Sequence, residues 1–313
     1  MMPALKPADD YDLAQPVVLP LVHQRRLADF VELTKPRVVT MVVLTTLFGY
    51  YLGAAPGAFD WSQLLLTLVG TGLAAAGTMA LNEYLERDLD AQMHRTRQRP
   101  LPDGRLAPVD ALVFGIVITV AGIALLWMTV NPLSALVTAV TSASYLFAYT
   151  PLKVRTSLCT LIGAVPGALP PLTGWAAVSN DLDAAAWAVF AIMFVWQIPH
   201  SLAIAQMYRD DYARAGFRLL PVVDPDGAST ARHILAYSLA LVSVGMLPTL
   251  LGLAGPVYFV TSIVLGLGLL RTSIRLARSA KIADARRVMF ASLLYLPCLF
   301  AVMAADKLPS APF

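Results

Sequence analysis

Side-chain oxygens with helical spacing stand in the segment ALNEYLERDLDAQMHRTRQRPLP, residues 80–102. Asn82, Glu86 and Asp90 are four residues apart, so a helix that continues through the segment would place all three on one face. Amide and carboxylate oxygens suit a hard cation. Mg²⁺ typically takes one or two carboxylates and completes its shell with water and substrate phosphates. The spacing therefore predicts a Mg²⁺ site made by these three side chains.

An arginine-rich turn follows these oxygens directly. Its cationic candidates are His94, Arg95, Arg97 and Arg99. Carboxylate-bound Mg²⁺ beside arginines is a combination that holds a diphosphate, because the metal and the guanidinium groups both neutralise phosphate oxygens. Alternatively, the charges form the solvated end of a membrane helix and the arginines only set its topology. Three oxygens in helical register favour the diphosphate site.

A second acidic point lies in WQIPHSLAIAQMYRDDYARAGFRLLPVV, residues 196–223. Asp210 and Asp211 stand among arginines there, so two acidic helix ends that face one cavity could hold two cations on one diphosphate. His200 would share a face with Asp211 on a continuous helix, although Pro199 is expected to bend that helix. The histidine is open between a hydrogen-bonded interior group, a contact to an acceptor substrate and a haem-iron ligand.

Two shorter basic motifs border the same loops, TKPR at 34–37 and PLKVRT at 151–156. Each could reach a diphosphate through charge-assisted hydrogen bonds, and each could equally be a topology determinant. Their candidate diphosphate ligands are Lys35, Arg37, Lys153 and Arg155.

The elements that must position these residues are membrane helices. The sequence is 58% hydrophobic and 14% charged, which is too little charge to cover a soluble surface. Uncharged apolar stretches recur, most of them near the ~20 residues that a bilayer requires. They are Val38 to Ala58, Leu64 to Leu81, Ala111 to Val130, Leu133 to Thr150, Ser157 to Val178, Ala185 to Met207, Ile234 to Leu253, Val257 to Leu270 and Val288 to Ala305. The predicted fold is an all-α integral membrane protein of about nine transmembrane helices.

Positive charge is divided unevenly between the two sides of this bundle. When alternate loops are assigned to one side, that side holds 22 of the 23 Lys and Arg residues, and the other holds only Lys307. Cytoplasmic loops carry such an excess, so the N-terminus is predicted in the cytoplasm and the C-terminus outside. Residues 1–30 then form a cytoplasmic tail, 31–307 a single transmembrane domain and 308–313 an external tail.

The first acidic motif resembles that of a known family. The pattern N-x-x-x-D/E-x-x-x-D followed by RTRQRPLP is similar to the first aspartate-rich motif of the UbiA superfamily of intramembrane prenyltransferases. The stretches LTKPRVVTMVVLTTLFGY, YTPLKVRTS, GAVPGALPPLTGWAA, WQIPHSLAIA and DDYARAGFRLLPVV resemble its haem-farnesylating branch, the haem O synthases. The sequence departs from the family pattern at Glu86, where Asp is usual. It also departs at Met207, where the wider superfamily often has the first Asp of its second motif.

The resemblance implies a UbiA-type bundle in the bacterial cell membrane, with farnesyl diphosphate as donor, Mg²⁺ as cofactor and haem B as the acceptor converted to haem O. The implied metal ligands are Asn82, Glu86, Asp90, Asp210 and Asp211, and the candidate catalytic residues are Asn82, Glu86, Asp90 and Asp211. The implied diphosphate ligands are Lys35, Arg37, Arg95, Arg97, Arg99, Lys153 and Arg155, and the candidate haem contact is His200. Further expected partners are membrane lipids and a haem A synthase or oxidase-assembly factor, and no nucleic acid is expected.

Other functions stay open on the sequence alone. A different UbiA-type enzyme could use a quinone-precursor, phenolic or chlorophyllide acceptor. A membrane transporter is disfavoured, because transporters place ionisable groups or broken helices near the bilayer midplane. The middles of the predicted spans contain no Asp, Glu, Lys or Arg. Cys159 and Cys298 lie in apolar runs without metal-ligand spacing, so neither a disulfide framework nor a zinc site is indicated.

Overall fold

The structure is a computed structural model that describes residues 26–279 and 281–309. Residues 1–25 of the predicted cytoplasmic tail and 310–313 of the predicted external tail lie outside these ranges. A π-helix, Ser144–Tyr149, separates the fifth and sixth α-helices. In chain order the α-helices are α1 (Arg26–Leu33), α2 (Pro36–Gly53), α3 (Trp61–Asp90), α4 (Pro108–Thr129), α5 (Pro132–Ala143), α6 (Thr150–Leu152), α7 (Cys159–Ala168), α8 (Pro170–Ser179), α9 (Ala184–Met207), α10 (Arg209–Arg214), α11 (Leu220–Val223), α12 (Ala228–Val244), α13 (Leu247–Leu250), α14 (Pro256–Ser279) and α15 (Ile282–Ala305).

Within the residues that the structure describes, eight helical segments are long and apolar enough to cross a bilayer. They are Trp61–Asp90, Pro108–Thr129, Pro132–Leu152, Cys159–Ser179, Ala184–Met207, Ala228–Leu250, Pro256–Ser279 and Ile282–Ala305. The chain is therefore an all-α, multi-pass membrane protein, as its composition predicts. Each of the eight overlaps one predicted apolar stretch, and the remaining predicted stretch coincides with the 18-residue helix α2.

Two helices continue nine residues past the C-terminal ends of the apolar stretches that predicted them. α3 continues past Leu81 to Asp90, and α14 continues past Leu270 to Ser279. Charged residues ended the predicted spans, but arginine and glutamate are good helix formers, so the helices continue where the sequence turns polar. Asp60 begins α3 as a cap whose carboxylate accepts two backbone N–H groups of the first turn. The acidic segment is thereby carried on one unbroken helix.

Glycines let the helices around this segment pack at backbone distance. A Cβ on Gly77 of α3 would overlap Thr119 and the Gly115 carbonyl of α4. A Cβ on Gly174 of α8 would overlap the Thr46 carbonyl of α2. Small residues permit such close approach between membrane helices. α3, which carries the acidic segment, is therefore packed closely against α4, and α2, which follows Lys35, is packed closely against α8.

Candidate active site

The C-terminal end of α3 carries a buried group of polar side chains. Asn82, Glu83 and Asp90 are each 1% exposed and Glu86 is 5% exposed. Because α3 is unbroken here, the three residues spaced by four share a face of the helix. We call these four residues the α3 cluster. Buried carboxylates are costly unless cations neutralise them, so the cations that contact the α3 cluster define the site.

Two predicted diphosphate ligands contact the acids of the α3 cluster. Lys153 Nζ donates to Glu86 Oε1 at 2.7 Å, and Arg99 Nη1 donates to Asp90 Oδ2 at 2.7 Å. Lys153 directly follows α6, and Arg99 belongs to the loop after α3. Cations from separate segments are thus brought to oxygens at one helix end.

Lys35 supplies a third cation from the turn between α1 and α2. Its Nζ donates to Asn82 Oδ1 at 2.8 Å and lies 3.8 Å from Glu83 Oε1. Lys35 has a φ of 51°, in the left-handed region that residues other than glycine rarely adopt, and Pro36 then begins α2. Burial, followed by the charge of the Arg99 guanidinium, lowers the pKa of Lys35 to about 8. A strained turn therefore aims a desolvated ammonium group at the α3 cluster.

Glu83 belongs to the site although it was not among the predicted residues. Its Oε1 lies 3.5 Å from Arg99 Nε and 3.8 Å from Lys35 Nζ, so it bridges two cations. Its Oε2 is buried and has no hydrogen-bond partner in the part of the chain that the structure describes. Helical spacing could have indicated Glu83, because this residue lies three positions before Glu86 and seven before Asp90.

Arg105 ties together the two segments that carry Lys35 and Arg99. Its guanidinium forms an ion pair with Asp29 of α1, a side chain that is 3% exposed. It also donates to the Gln98 carbonyl at 2.8 Å. α1 leads into Lys35, and Gln98 directly precedes Arg99. Arg105 therefore fixes both cations from outside the α3 cluster.

The second acidic point does not reach the α3 cluster. Asp210 is exposed, and Asp211 forms an ion pair with Arg214 on the same short helix, α10. Within residues 26–279 and 281–309, no hydrogen bond or ion pair joins either aspartate to the α3 cluster. Over the same residues, no three His, Cys, Asp or Glu side chains lie close enough together to hold one ion. The predicted roles of Asp210 and Asp211 thus stay predictions.

The loop that carries these aspartates nevertheless packs over the site. The backbone N–H of Arg218 donates to the Lys153 carbonyl at 2.7 Å, and the Phe217 ring centre lies 6.0 Å from Lys153 Nζ. Arg95 Nη2 donates to Tyr212 Oη at 3.4 Å, which joins the loop after α3 to α10. The loop after α3 and the segment after α9 therefore pack together over the α3 cluster.

Three other predicted diphosphate ligands lie at the surface. Arg37, Arg97 and Arg155 are exposed, and none of them forms an ion pair or a side-chain hydrogen bond among the described residues. Arginine side chains are long enough to turn toward a bound anion, so their predicted roles stay predictions.

A cavity of about 400 Å³ opens beside the α3 cluster. Tyr145 and Tyr149 of the π-helix line it, as does Thr78, one turn before the cluster. Lys153 Nζ lies 4.4 Å from the centre of the Tyr149 ring, so the cavity wall touches one of the clustered cations. π-helical turns are rare and frequently mark functional sites. The volume lies in the range of small-molecule pockets.

His200 lies on another side of α9. Its Nδ1 is 2.8 Å from Ser292 Oγ of α15, and its ring stacks on Trp196 with the centres 5.0 Å apart. Gln197 and Ser201 of the same helix line the cavity, and His200 is not among the lining residues.

Comparison with known proteins decides the family. A family model described as the UbiA prenyltransferase family matches residues 42–294, most of the chain and all of the α3 cluster. The chain belongs to the UbiA prenyltransferase family. Two similar UbiA relatives are each named protoheme IX farnesyltransferase. That of Solibacter usitatus is 47% identical over 90% of this chain and 99% of its own length. That of Koribacter versatilis is 45% identical over 90% of this chain and 94% of its own length.

Solved structures share the UbiA fold. One, described as digeranylgeranylglyceryl phosphate synthase in membranes, matches with a TM-score of 0.76 and 14% identity over 90% of this chain and 98% of that chain. A UbiA homologue from Archaeoglobus fulgidus bound to GPP and Mg²⁺ matches with a TM-score of 0.61 and 15% identity. That match covers 88% of this chain and 99% of the homologue. At these identities the likeness concerns the fold alone.

The UbiA site of this chain fits a divalent cation by the chemistry of its ligands. The α3 cluster offers only hard oxygens, and Glu83 Oε2 is a buried acceptor without a partner among the described residues. Because three carboxylates do not converge there, one ion would take at most two of them. Water and a diphosphate would complete its shell, which is how Mg²⁺ is usually held.

Proposed function

We propose that this enzyme transfers the farnesyl group of farnesyl diphosphate to a vinyl group of protoheme IX and thereby makes haem O. The relatives named protoheme IX farnesyltransferase support this pair of substrates, because the similarity extends over 90% of the chain. The observation that carries the chemistry is the meeting of three cations with the α3 cluster beside an internal cavity. Such a site suits a lipid with an anionic end.

We also propose nine spans in a bacterial cell membrane, with α2 as the first. The 18 residues of α2 pack against α8 at backbone distance, which supports a place inside the bundle. The uneven division of Lys and Arg supports a cytoplasmic N-terminus and an external C-terminus. The α3 cluster would then lie at the cytoplasmic boundary, where a water-soluble diphosphate and a lipid-soluble chain can both be reached.

Diphosphate binding would use the cations that already meet the α3 cluster. Each is held by an oxygen of α3, so a diphosphate can take up their remaining N–H groups without movement of the helix. Arg99 and Lys153 are fixed this way by Asp90 and Glu86. A bound Mg²⁺ supplies charge neutralisation of the leaving diphosphate. Its proposed ligands are Asn82, Glu86 and Asp90.

Cleavage of the allylic C–O bond starts the transfer, and the bonding electron pair leaves with the diphosphate. Lys35, Arg99 and Lys153 favour this step because they meet charge that develops on the leaving oxygens. The cavity then holds the allylic cation, and the aromatic faces of Tyr145 and Tyr149 at its wall can stabilise it.

A vinyl carbon of the haem next forms a bond to the allylic carbon, which leaves positive charge on the neighbouring vinyl carbon. Water adds its oxygen to that carbon and loses a proton to the released diphosphate. One haem, one farnesyl diphosphate and one water thus give the hydroxyethylfarnesyl haem and protonated diphosphate. Gln197 and Ser201, polar residues of the cavity wall, can hold the water.

The proposed function also includes roles for His200, for the aspartates of α10 and for a partner protein. His200 would contact haem by exchanging its bond to Ser292, and Asp211 would bind a second ion by releasing Arg214, with Asp210 as the alternative ligand. A haem A synthase or an oxidase-assembly factor would receive the product.

Product analysis tests this function directly. Purified protein in lipid nanodiscs, given haem B, farnesyl diphosphate and Mg²⁺, is expected to yield a haem heavier by the mass of farnesol. Parallel incubations with 4-hydroxybenzoate and with chlorophyllide test the rival acceptors. Prenylation of either one while haem B stays unchanged would overturn the assignment of the acceptor.

A further inference from the structure

One exposed face of α14 changes from apolar to basic along its length. The apolar members are each more than half exposed: Val257, Val260, Val264 and Leu267. The basic members are also exposed: Arg271, Arg275 and Arg278. At about 100° per residue, all seven fall within an arc of about 80°. They form one continuous surface, the α14 row.

One leaflet of a bilayer fits the part of the α14 row nearest the arginines. A leaflet is about 15 Å deep, half of a hydrocarbon core of about 30 Å. At about 1.5 Å per residue, that depth covers roughly ten residues of α14 before Arg271, and these include Val264 and Leu267. The arginines follow over about 10 Å, and their side chains can extend toward the headgroup layer.

The arginines of the α14 row have charge available for an external anion. No ion pair or side-chain hydrogen bond engages any of the three within the ranges that the structure describes. The acid of the α14–α15 hairpin, Asp284, accepts from Ser279 Oγ at 2.5 Å and from Arg287 Nη1 at 2.6 Å. Exposed Lys281 and Arg286 add further positive charge. The hairpin is therefore a basic surface whose one described acid is already bonded.

A topology signal explains the sign of this charge and not its position. Positive residues near the end of a span orient a membrane protein whichever way their side chains point, whereas these three lie in one exposed row of an ordered helix. The arginines after α3 behave differently, since Arg99 and Arg105 bond to the buried acids Asp90 and Asp29.

We propose that the α14 row binds an anionic phospholipid, with an acyl chain along Val264 and Leu267 and the phosphate on the arginines. Charge complementarity selects the headgroup, and the apolar half of the row selects a lipid over a soluble phosphate. This site is independent of the farnesyl transfer proposed above, so lipid binding can be measured without turnover.

Native mass spectrometry of the full-length protein, titrated with phosphatidylglycerol or phosphatidylcholine of identical acyl chains, tests the site. We expect the wild type to prefer phosphatidylglycerol. Joint substitution Arg271→Gln, Arg275→Gln and Arg278→Gln is expected to weaken phosphatidylglycerol binding by at least about tenfold, with phosphatidylcholine binding unchanged. The matched control removes equal charge from exposed arginines elsewhere and joins Arg26→Gln, Arg218→Gln and Arg232→Gln.

Undiminished phosphatidylglycerol binding in the α14 variant would overturn the proposal, and so would an equal loss in the control. If the joint α14 variant does not fold, Arg275→Gln alone decides, with a several-fold loss expected and none in Arg232→Gln. A variant with lysine at all three positions keeps the charge and is expected to retain most of the preference.

Discussion

The acids at the end of α3 and those after α9 have opposite surroundings. At the end of α3, Glu86 and Asp90 are buried and each bonds a cation from another part of the chain. After α9, Asp211 bonds Arg214 one turn away, and Asp210 is exposed. The contrast shows that an unbroken helix can hold acids in the interior, where only distant cations satisfy them. A six-residue helix lets its acids be satisfied locally, so the chemistry is to be sought at α3.

Substitutions of Asp90 and Asp210 should differ most in their effect on turnover. Asp90→Asn removes the charge that fixes Arg99 and is expected to lower turnover by about a hundredfold or more. Asp210→Asn is expected to leave turnover near the wild-type value. Rates of haem farnesylation, measured on variants that insert equally well, check both. Equal losses in the two variants would remove the distinction between the loops.

Lys153 and Arg155 are two cations of one motif, of which only Lys153 contacts the α3 cluster in the residues that the structure describes. Lys153→Met deletes a buried charge-assisted contact and should lower kcat/KM for farnesyl diphosphate by roughly ten- to a hundredfold. Arg155→Gln, which removes an exposed cation two residues later, should cost far less. Steady-state kinetics decide, and a larger loss in Arg155→Gln would mean that the surface arginines bind the diphosphate.

Substitution of Arg105 should have a moderate effect on farnesyl diphosphate binding, because Arg105 holds the segments that carry Lys35 and Arg99. Arg105→Gln releases α1 and the loop after α3, so KM for farnesyl diphosphate is expected to rise about fivefold while kcat changes little. Arg287→Gln removes the ion pair with Asp284 on the α14–α15 hairpin and serves as the control. An unchanged KM in Arg105→Gln would show that Lys35 and Arg99 need no such brace.

His200 should give the smallest change in rate. His200→Ala is expected to weaken haem binding a few-fold and to leave the KM for farnesyl diphosphate unaltered. Haem titration followed by visible absorbance measures the first quantity. Identical haem affinity in the variant would assign His200 to the contact with Ser292 alone.

Much of this architecture follows from the sequence because lipid imposes a simple rule. Backbone groups in a bilayer must be bonded internally, so long apolar stretches become helices, and eight such helices lie where hydropathy puts them. The shared face of Asn82, Glu86 and Asp90 follows from the helical repeat once the helix continues.

Contacts made by loops could not be predicted in the same way. Arg99 turns inward while Arg97 is exposed, and Lys153 turns inward while Arg155 is exposed. Loop conformation decides these differences, and no sequence period encodes it. Glu83 is another case, because a search limited to steps of four passes over a residue at a step of three.

Anomalous diffraction from crystals grown with Mn²⁺ and farnesyl thiodiphosphate would test the central role of the α3 cluster most directly. We expect Mn²⁺ bound by oxygens of Asn82, Glu86 or Asp90, with Lys153 and Arg99 on the diphosphate. Mn²⁺ held only at Asp210 and Asp211, with the α3 cluster still bonded to its lysines and arginine alone, would contradict this expectation.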